Sequence, residues 1–72
     1  MARLPIETKE ELIGETRTRL LESAVTEFAR QGYSAANINR ISLAAGYAKG
    51  TIYNYFSSKR ELALAMIESI AA

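Results

Sequence analysis

Apolar residues repeat with helical spacing in the first half of the chain. Five of them, at i, i+1, i+4, i+5 and i+8, form one wide stripe on a helix: Leu20, Leu21, Ala24, Val25 and Phe28. The segment TKEE is a capping-box pattern that starts the helix at Thr8, although Gly14 leaves open a start after it. Gly32 is the expected C-terminal glycine. We therefore predict a first helix over about residues 9–31, after a flexible N-terminal arm at residues 1–8.

Two short helices are predicted next. Residues at i, i+3, i+4 and i+7 give the first of them one inward face: Ile38, Ile41, Ser42 and Ala45. Asn37 is a favourable N-cap and Gly46 a stop signal, so this helix covers about residues 37–45. A third helix follows over about residues 48–55. Two short helices that meet at a glycine turn are typical of a helix-turn-helix.

A fourth helix is predicted over about residues 58–71, because Ser58 and Glu61 form a second capping box. Its segment LALAMI, residues 62–67, is apolar all round. A helix of this kind is usually buried on more than one side, and the first helix can cover only one of its sides. The four segments together predict an all-α fold, a small helical bundle that contains a helix-turn-helix.

Composition excludes most catalytic chemistry. The chain has no His, Asp, Cys or Trp, so the usual general bases, thiol nucleophiles and most metal ligands are missing. We expect no enzyme, no metal site and no cofactor. The absence of cysteine also excludes disulfides and favours a cytoplasmic setting. No apolar run is long enough to span a membrane, so we expect no membrane association.

Charge is distributed unevenly although the formal net charge is only +1. From Phe28 to Arg60 there is no acidic residue, and this segment holds five basic ones: Arg30, Arg40, Lys49, Lys59 and Arg60. The rest of the chain carries all eight glutamates and four basic residues. A segment of one sign indicates an anionic partner, and the alternative is a chance cluster of solvated charges.

The third predicted helix has an unusual outward face. On a helical wheel Ile52 and Phe56 lie on the inward side, and Tyr55 lies at the edge of that side. The outward positions are Lys49, Gly50, Thr51, Tyr53 and Asn54. Hydroxyls suit phosphate oxygens, asparagine can pair with a base edge, and glycine permits close backbone approach. These properties indicate a helix in the major groove of double-stranded DNA. The alternatives are a small protein-interaction module that uses the same tyrosine-rich face, or an RNA-binding domain.

The segment GYSAANINRISLAAGYAKGTIYNYFSSKREL resembles the N-terminal DNA-binding domain of the TetR family of bacterial transcriptional regulators. This resemblance implies a helix-turn-helix domain at residues 9–57 that reads a palindromic operator and acts as a repressor. It also implies that residues 58–72 begin a helix leading to a C-terminal domain absent from this chain. That domain would form the homodimer and bind a small-molecule inducer.

The resemblance also implies roles for individual residues. Base contacts are expected from Asn39, Lys49, Gly50, Thr51 and Asn54. Phosphate contacts are expected from Asn37, Arg40, Tyr53, Tyr55 and Lys59. Five positions depart from the family pattern. Ala36-Asn37 stands where Thr-Thr is usual, and Ala48 replaces the serine that caps the third helix. Tyr47 replaces a smaller aliphatic residue, and Leu43 is apolar where a charge is common.

Overall fold

A computed structural model describes residues 9–71 of the chain. Its elements are α1 (Lys9–Ala35), α2 (Ile38–Ala44), a 3₁₀ helix (Thr51–Asn54) and α3 (Lys59–Ala71). Within this part of the chain there is no strand, which confirms the all-α prediction. The expected arm at residues 1–8, and with it the capping role of Thr8, lies outside the described residues.

The first helix starts early and is interrupted near its end. It runs from Lys9 straight through Gly14, so the start after Gly14 is wrong. At Gly32 the backbone has φ 80° and ψ 168°, which is not helical. One further turn follows, in which the N–H of Ala36 donates to the carbonyl of Gly32 at 3.1 Å. Gly32 thus ends the regular helix where the sequence indicated, and Ala35 ends the short turn behind it.

Capping hydrogen bonds mark both ends of α2. The side-chain oxygen of Asn37 accepts a hydrogen bond from the N–H of Arg40 at 3.0 Å, as an N-cap does. At the other end Gly46 has φ 95°. The N–H of Tyr47 donates to the carbonyl of Ser42, and that of Gly46 to the carbonyl of Leu43, both at 3.0 Å. This is a Schellman motif, and it turns the chain sharply after α2.

The third predicted helix, over residues 48–55, is wrong in length and type, because the structure has a 3₁₀ helix at Thr51–Asn54. Ala48 offers no capping side chain, and Gly50 at the N-cap position makes no side-chain capping bond. The N–H of Ile52 is held by the hydroxyl of Ser42 at 3.0 Å. The backbone bonds of this segment run from i to i+3, as between the Tyr53 N–H and the Gly50 carbonyl at 3.1 Å.

The start of α3 agrees with the second predicted capping box, since the N–H of Glu61 donates to the hydroxyl of Ser58 at 3.1 Å.

Side chains from all four elements meet in one core: Leu20, Leu21, Ala24, Ile41, Ile52, Phe56 and Leu62. Val25, predicted as part of the buried stripe, is instead 38% exposed. It lies along a groove between α1 and α3 that Met66 and Ile70 also line. Leu64, Ile67 and Ile70 of α3 are exposed as well.

Candidate nucleic-acid interface

The 3₁₀ helix presents the outward face that the helical wheel predicted. Ile52 and Phe56 are buried in the core. Four residues of the segment are exposed: Lys49, Gly50, Tyr53 and Asn54. Thr51 is half-buried, and so is Tyr55, which packs against the core. Residues 49–54 thus keep an inward and an outward side although the element is a 3₁₀ helix, since Ile52 and Phe56 are both buried.

A buried hydroxyl fixes the 3₁₀ helix against α2. Ser42 is fully buried, and its Oγ accepts the hydrogen bond from the N–H of Ile52. A second hydroxyl, that of Ser23 on α1, donates to the carbonyl of Ile41 at 2.9 Å. These two bonds join α2 to the 3₁₀ helix on one side and to α1 on the other. The sequence placed Ser42 on the inner face of α2 but did not indicate its partner.

The N-terminus of α2 places three of the predicted contact residues. Asn37 and Arg40 are exposed, and Asn39 is half-buried. The buried carboxylate of Glu27 on α1 accepts a hydrogen bond from the N–H of Asn37 at 2.8 Å and lies 3.6 Å from Nε of Arg40. Sequence reasoning missed Glu27. The available signal was its position, seven residues after Leu20 and three after Ala24, which puts a charge on the apolar face of α1.

Lys59 is held at the junction of α1 and α3. Its Nζ donates to the carbonyls of Tyr33 and Ser34 at 2.9 and 3.0 Å. The same ammonium lies 5.4 Å from the ring centroid of Tyr33, which stacks on Phe28 at 5.9 Å. An ammonium has three N–H donors, so one is left for a further acceptor. Lys59 thus ties the start of α3 to the end of α1, a role that the sequence did not indicate.

The acid-free segment is mostly accessible. Of its basic residues, Arg30, Arg40, Lys49 and Arg60 are exposed and Lys59 is half-buried. Glu27 lies just before this segment in sequence, and its contact with Arg40 brings one negative charge to its edge. The face of α2 and the 3₁₀ helix therefore combines exposed cations, amides and hydroxyls, which are groups that bind phosphates and base edges.

Neither a metal-binding cluster nor a membrane-spanning helix is present in the described part of the chain. Among residues 9–71 no group of three or more carboxylates could hold a metal ion. The helices described are too short or too polar to cross a membrane.

Comparison with known proteins identifies similar sequences. The family model described as bacterial regulatory proteins, tetR family, matches residues 20–66, more than half of the chain. The HTH-type transcriptional repressor SCO4008 of Streptomyces coelicolor is 43% identical over 53 residues, which are 74% of this chain and 28% of that protein. The transcriptional regulator TtgR of Pseudomonas putida is 36% identical over 63 residues, 88% of this chain and 30% of that protein.

A third relative is an activator. FasR of Mycolicibacterium smegmatis is 43% identical over 54 residues, 75% of this chain and 25% of that protein. The chain thus spans less than a third of the length of these curated relatives. No solved structure matches the chain significantly.

Proposed function

Because the chain belongs to the tetR family of bacterial regulatory proteins, a family of DNA-binding transcriptional regulators, we propose that it reads a palindromic operator through its 3₁₀ helix and the preceding turn. The observation that carries this proposal is the exposed face of Lys49, Gly50, Tyr53 and Asn54 on a segment whose other side is anchored in the core. This face holds no acidic residue, as a surface that meets DNA requires.

The 3₁₀ helix (Thr51–Asn54), which we call the reading element, is short, and this limits the number of base pairs that it can contact in each half-site. Four residues of 3₁₀ helix rise about 8 Å, which matches two or three base-pair steps. Direct base contacts are assigned to five residues: Asn39, Lys49, Gly50, Thr51 and Asn54. Asn54 is the best placed of them for base pairing, since its amide is exposed and asparagine can bind adenine bidentately. Gly50 lets the backbone approach the groove closely.

Phosphate contacts are assigned to five residues around the reading element: Asn37, Arg40, Tyr53, Tyr55 and Lys59. Tyr53 is 52% exposed and can bring its hydroxyl to the DNA backbone. Lys59 can use its third N–H for a phosphate while it stays bound to the carbonyls of Tyr33 and Ser34. Such contacts orient the domain on the duplex and carry no base information.

The regulator is proposed to work as a ligand-responsive repressor, in which a C-terminal domain forms the homodimer and binds the inducer. Two observations support a larger protein. The chain spans less than a third of its relatives' lengths. In α3, Leu64, Ile67 and Ile70 are 45%, 55% and 66% exposed, an apolar face suited to a neighbouring domain. Since relatives include both repressors and an activator, repression is the proposal to be tested. No enzymatic activity is proposed.

Gly50→Glu tests the reading element. Position 50 is exposed and a Cβ there would meet no atom within 4 Å, so the fold should persist. The added carboxylate would face the phosphates, and binding to duplexes selected from a random pool should be lost at physiological salt. Ser69→Glu, at an exposed position near the far end of α3, adds the same charge and should bind normally.

The second candidate function is a protein-interaction module that uses the exposed tyrosines. Binding to duplex DNA that weakens steeply with salt supports the DNA-binding role, because counterion release accompanies phosphate contacts. Normal operator binding by Gly50→Glu would exclude the 3₁₀ helix as the groove-facing element. Failure of the unmodified domain to bind any duplex at low salt would favour the protein-interaction role instead.

A further inference from the structure

Glu27 and Arg40 form an ion pair at the start of α2. The side chain of Glu27 is only 7% exposed, whereas that of Arg40 is 56% exposed. One carboxylate oxygen, Oε2, accepts the hydrogen bond from the Asn37 N–H and lies 3.6 Å from Arg40 Nε. The same oxygen therefore binds the N-cap backbone and the arginine three residues later.

The position of this carboxylate is favourable for α2. The first turn of α2 has no acidic residue of its own, and the N-terminus of a helix favours a negative charge. Glu27 supplies that charge from α1. Arg19, Glu22 and Arg30 line the same groove between α1 and α2 as the pair does. Burial keeps the carboxylate of Glu27 in place while its partner remains accessible from solvent.

The proposed DNA-binding function gives this pair a consequence, and the inference rests on it. We propose that Glu27 is a positioning residue that holds the Arg40 guanidinium at the start of α2 and neutralises its charge before DNA binds. Nε is the nitrogen nearest the main chain, so the terminal amino groups can bind a phosphate while the pair persists. Arg40 then binds a phosphate in a defined orientation. Because Glu27 already neutralises its charge, this contact releases few counterions from the DNA.

Glu27→Gln separates the two roles of the carboxylate. The amide oxygen can still accept from the Asn37 N–H, but the charge is gone and Arg40 becomes a full cation. Each phosphate neutralised contributes about 0.9 to the slope of log affinity against log salt. The slope should therefore steepen by about 0.9 per protomer. The variant's gain in affinity for a random-sequence duplex should be about 3.5-fold larger at 50 mM than at 200 mM salt.

Arg40→Ala, made in both backgrounds, completes the test. In the wild-type background it should change the salt slope little, and in the Glu27→Gln background it should lower the slope by about 0.9. Arg30→Ala is the matched control, because Arg30 is exposed in the same groove, and it should act equally in both backgrounds. Equal effects of Arg40→Ala in the two backgrounds would overturn the inference. If Glu27→Gln does not fold, a slope change of about 0.9 for Arg40→Ala alone overturns it.

A measurement without DNA separates this inference from the proposed function. Exchange of the Arg40 Nε–H with solvent, followed by NMR, should be slower than that of Arg30 and should speed up in Glu27→Gln. Equal exchange of the two arginines in the unmodified chain means that the pair does not hold Arg40, and the inference is wrong. A slow Arg40 signal in a chain that binds no duplex refutes the proposed function, and this inference with it.

Discussion

Alanine substitution at three glycines should change stability in opposite directions according to backbone conformation. Gly46 has φ 95°, Gly32 has φ 80° with ψ 168°, and Gly50 has φ −94° with ψ 3°. A Cβ at any of these positions would meet no atom within 4 Å. Steric clashes of the new methyl group therefore do not affect stability. The difference in unfolding free energy among the three variants reports the backbone conformation at each position.

The magnitudes follow from the dihedral angles. A left-handed conformation costs an alanine about 1–2 kcal/mol, as expected for Gly46→Ala. The φ and ψ of Gly32 lie in a region that is essentially restricted to glycine, where the cost is about 1–3 kcal/mol. The lower entropy of the unfolded chain favours every Gly→Ala variant by about 0.4–1 kcal/mol. Gly50 has a negative φ in a region that alanine can adopt, so Gly50→Ala carries no left-handed cost and should be slightly more stable than the unmodified chain.

The unfolded-state contribution is shared by the variants, so it cancels when they are compared. Gly46→Ala should then be about 1–2 kcal/mol less stable than Gly50→Ala. For a domain of this size, that difference corresponds to about 4–16 °C in Tm. Urea and thermal unfolding followed by circular dichroism measure both quantities. A Gly46→Ala variant as stable as Gly50→Ala would refute the left-handed conformation assigned to Gly46.

Three further expectations concern binding and the core. Asn54→Ala should relax base preference at one position per half-site, by about 1–3 kcal/mol, and leave the salt slope unchanged; uniform weakening across singly substituted operators would contradict a base contact. Lys59→Ala should weaken binding to all sequences alike and lower the salt slope by about 0.9, whereas a change in base preference would rule out the phosphate role. It should also lower the free energy of unfolding by about 1 kcal/mol, since the carbonyls of Tyr33 and Ser34 lose their donor. Ile41 is fully buried, so Ile41→Ala should lower the free energy of unfolding in urea by about 2–5 kcal/mol. Leu43 is 58% exposed, so Leu43→Ala should lower it by less than about 0.5 kcal/mol. Equal losses in the two variants would mean that the core is assigned wrongly.

Features that depend on neighbours in sequence were predictable. The apolar spacing identified α1 and α2, and Asn37, Gly32, Gly46 and Ser58 marked helix ends, because capping bonds join groups only three to five residues apart. The outward face of residues 49–54 was predictable for the same reason, since Ile52 and Phe56 were evident core residues. The division of this face into base and phosphate contacts stays a prediction.

Features that join distant segments were not predictable. The hydroxyl of Ser42 bonds a residue ten positions away, Glu27 reaches the N-cap of α2, and Lys59 reaches the end of α1. A serine, a glutamate or a lysine has the same local pattern whether or not such a partner exists, and only the packing of the helices brings donor and acceptor within 3 Å. The third predicted helix is a 3₁₀ turn in which the N–H of Ile52 is bound by Ser42 of α2, a contact that depends on how the two elements pack.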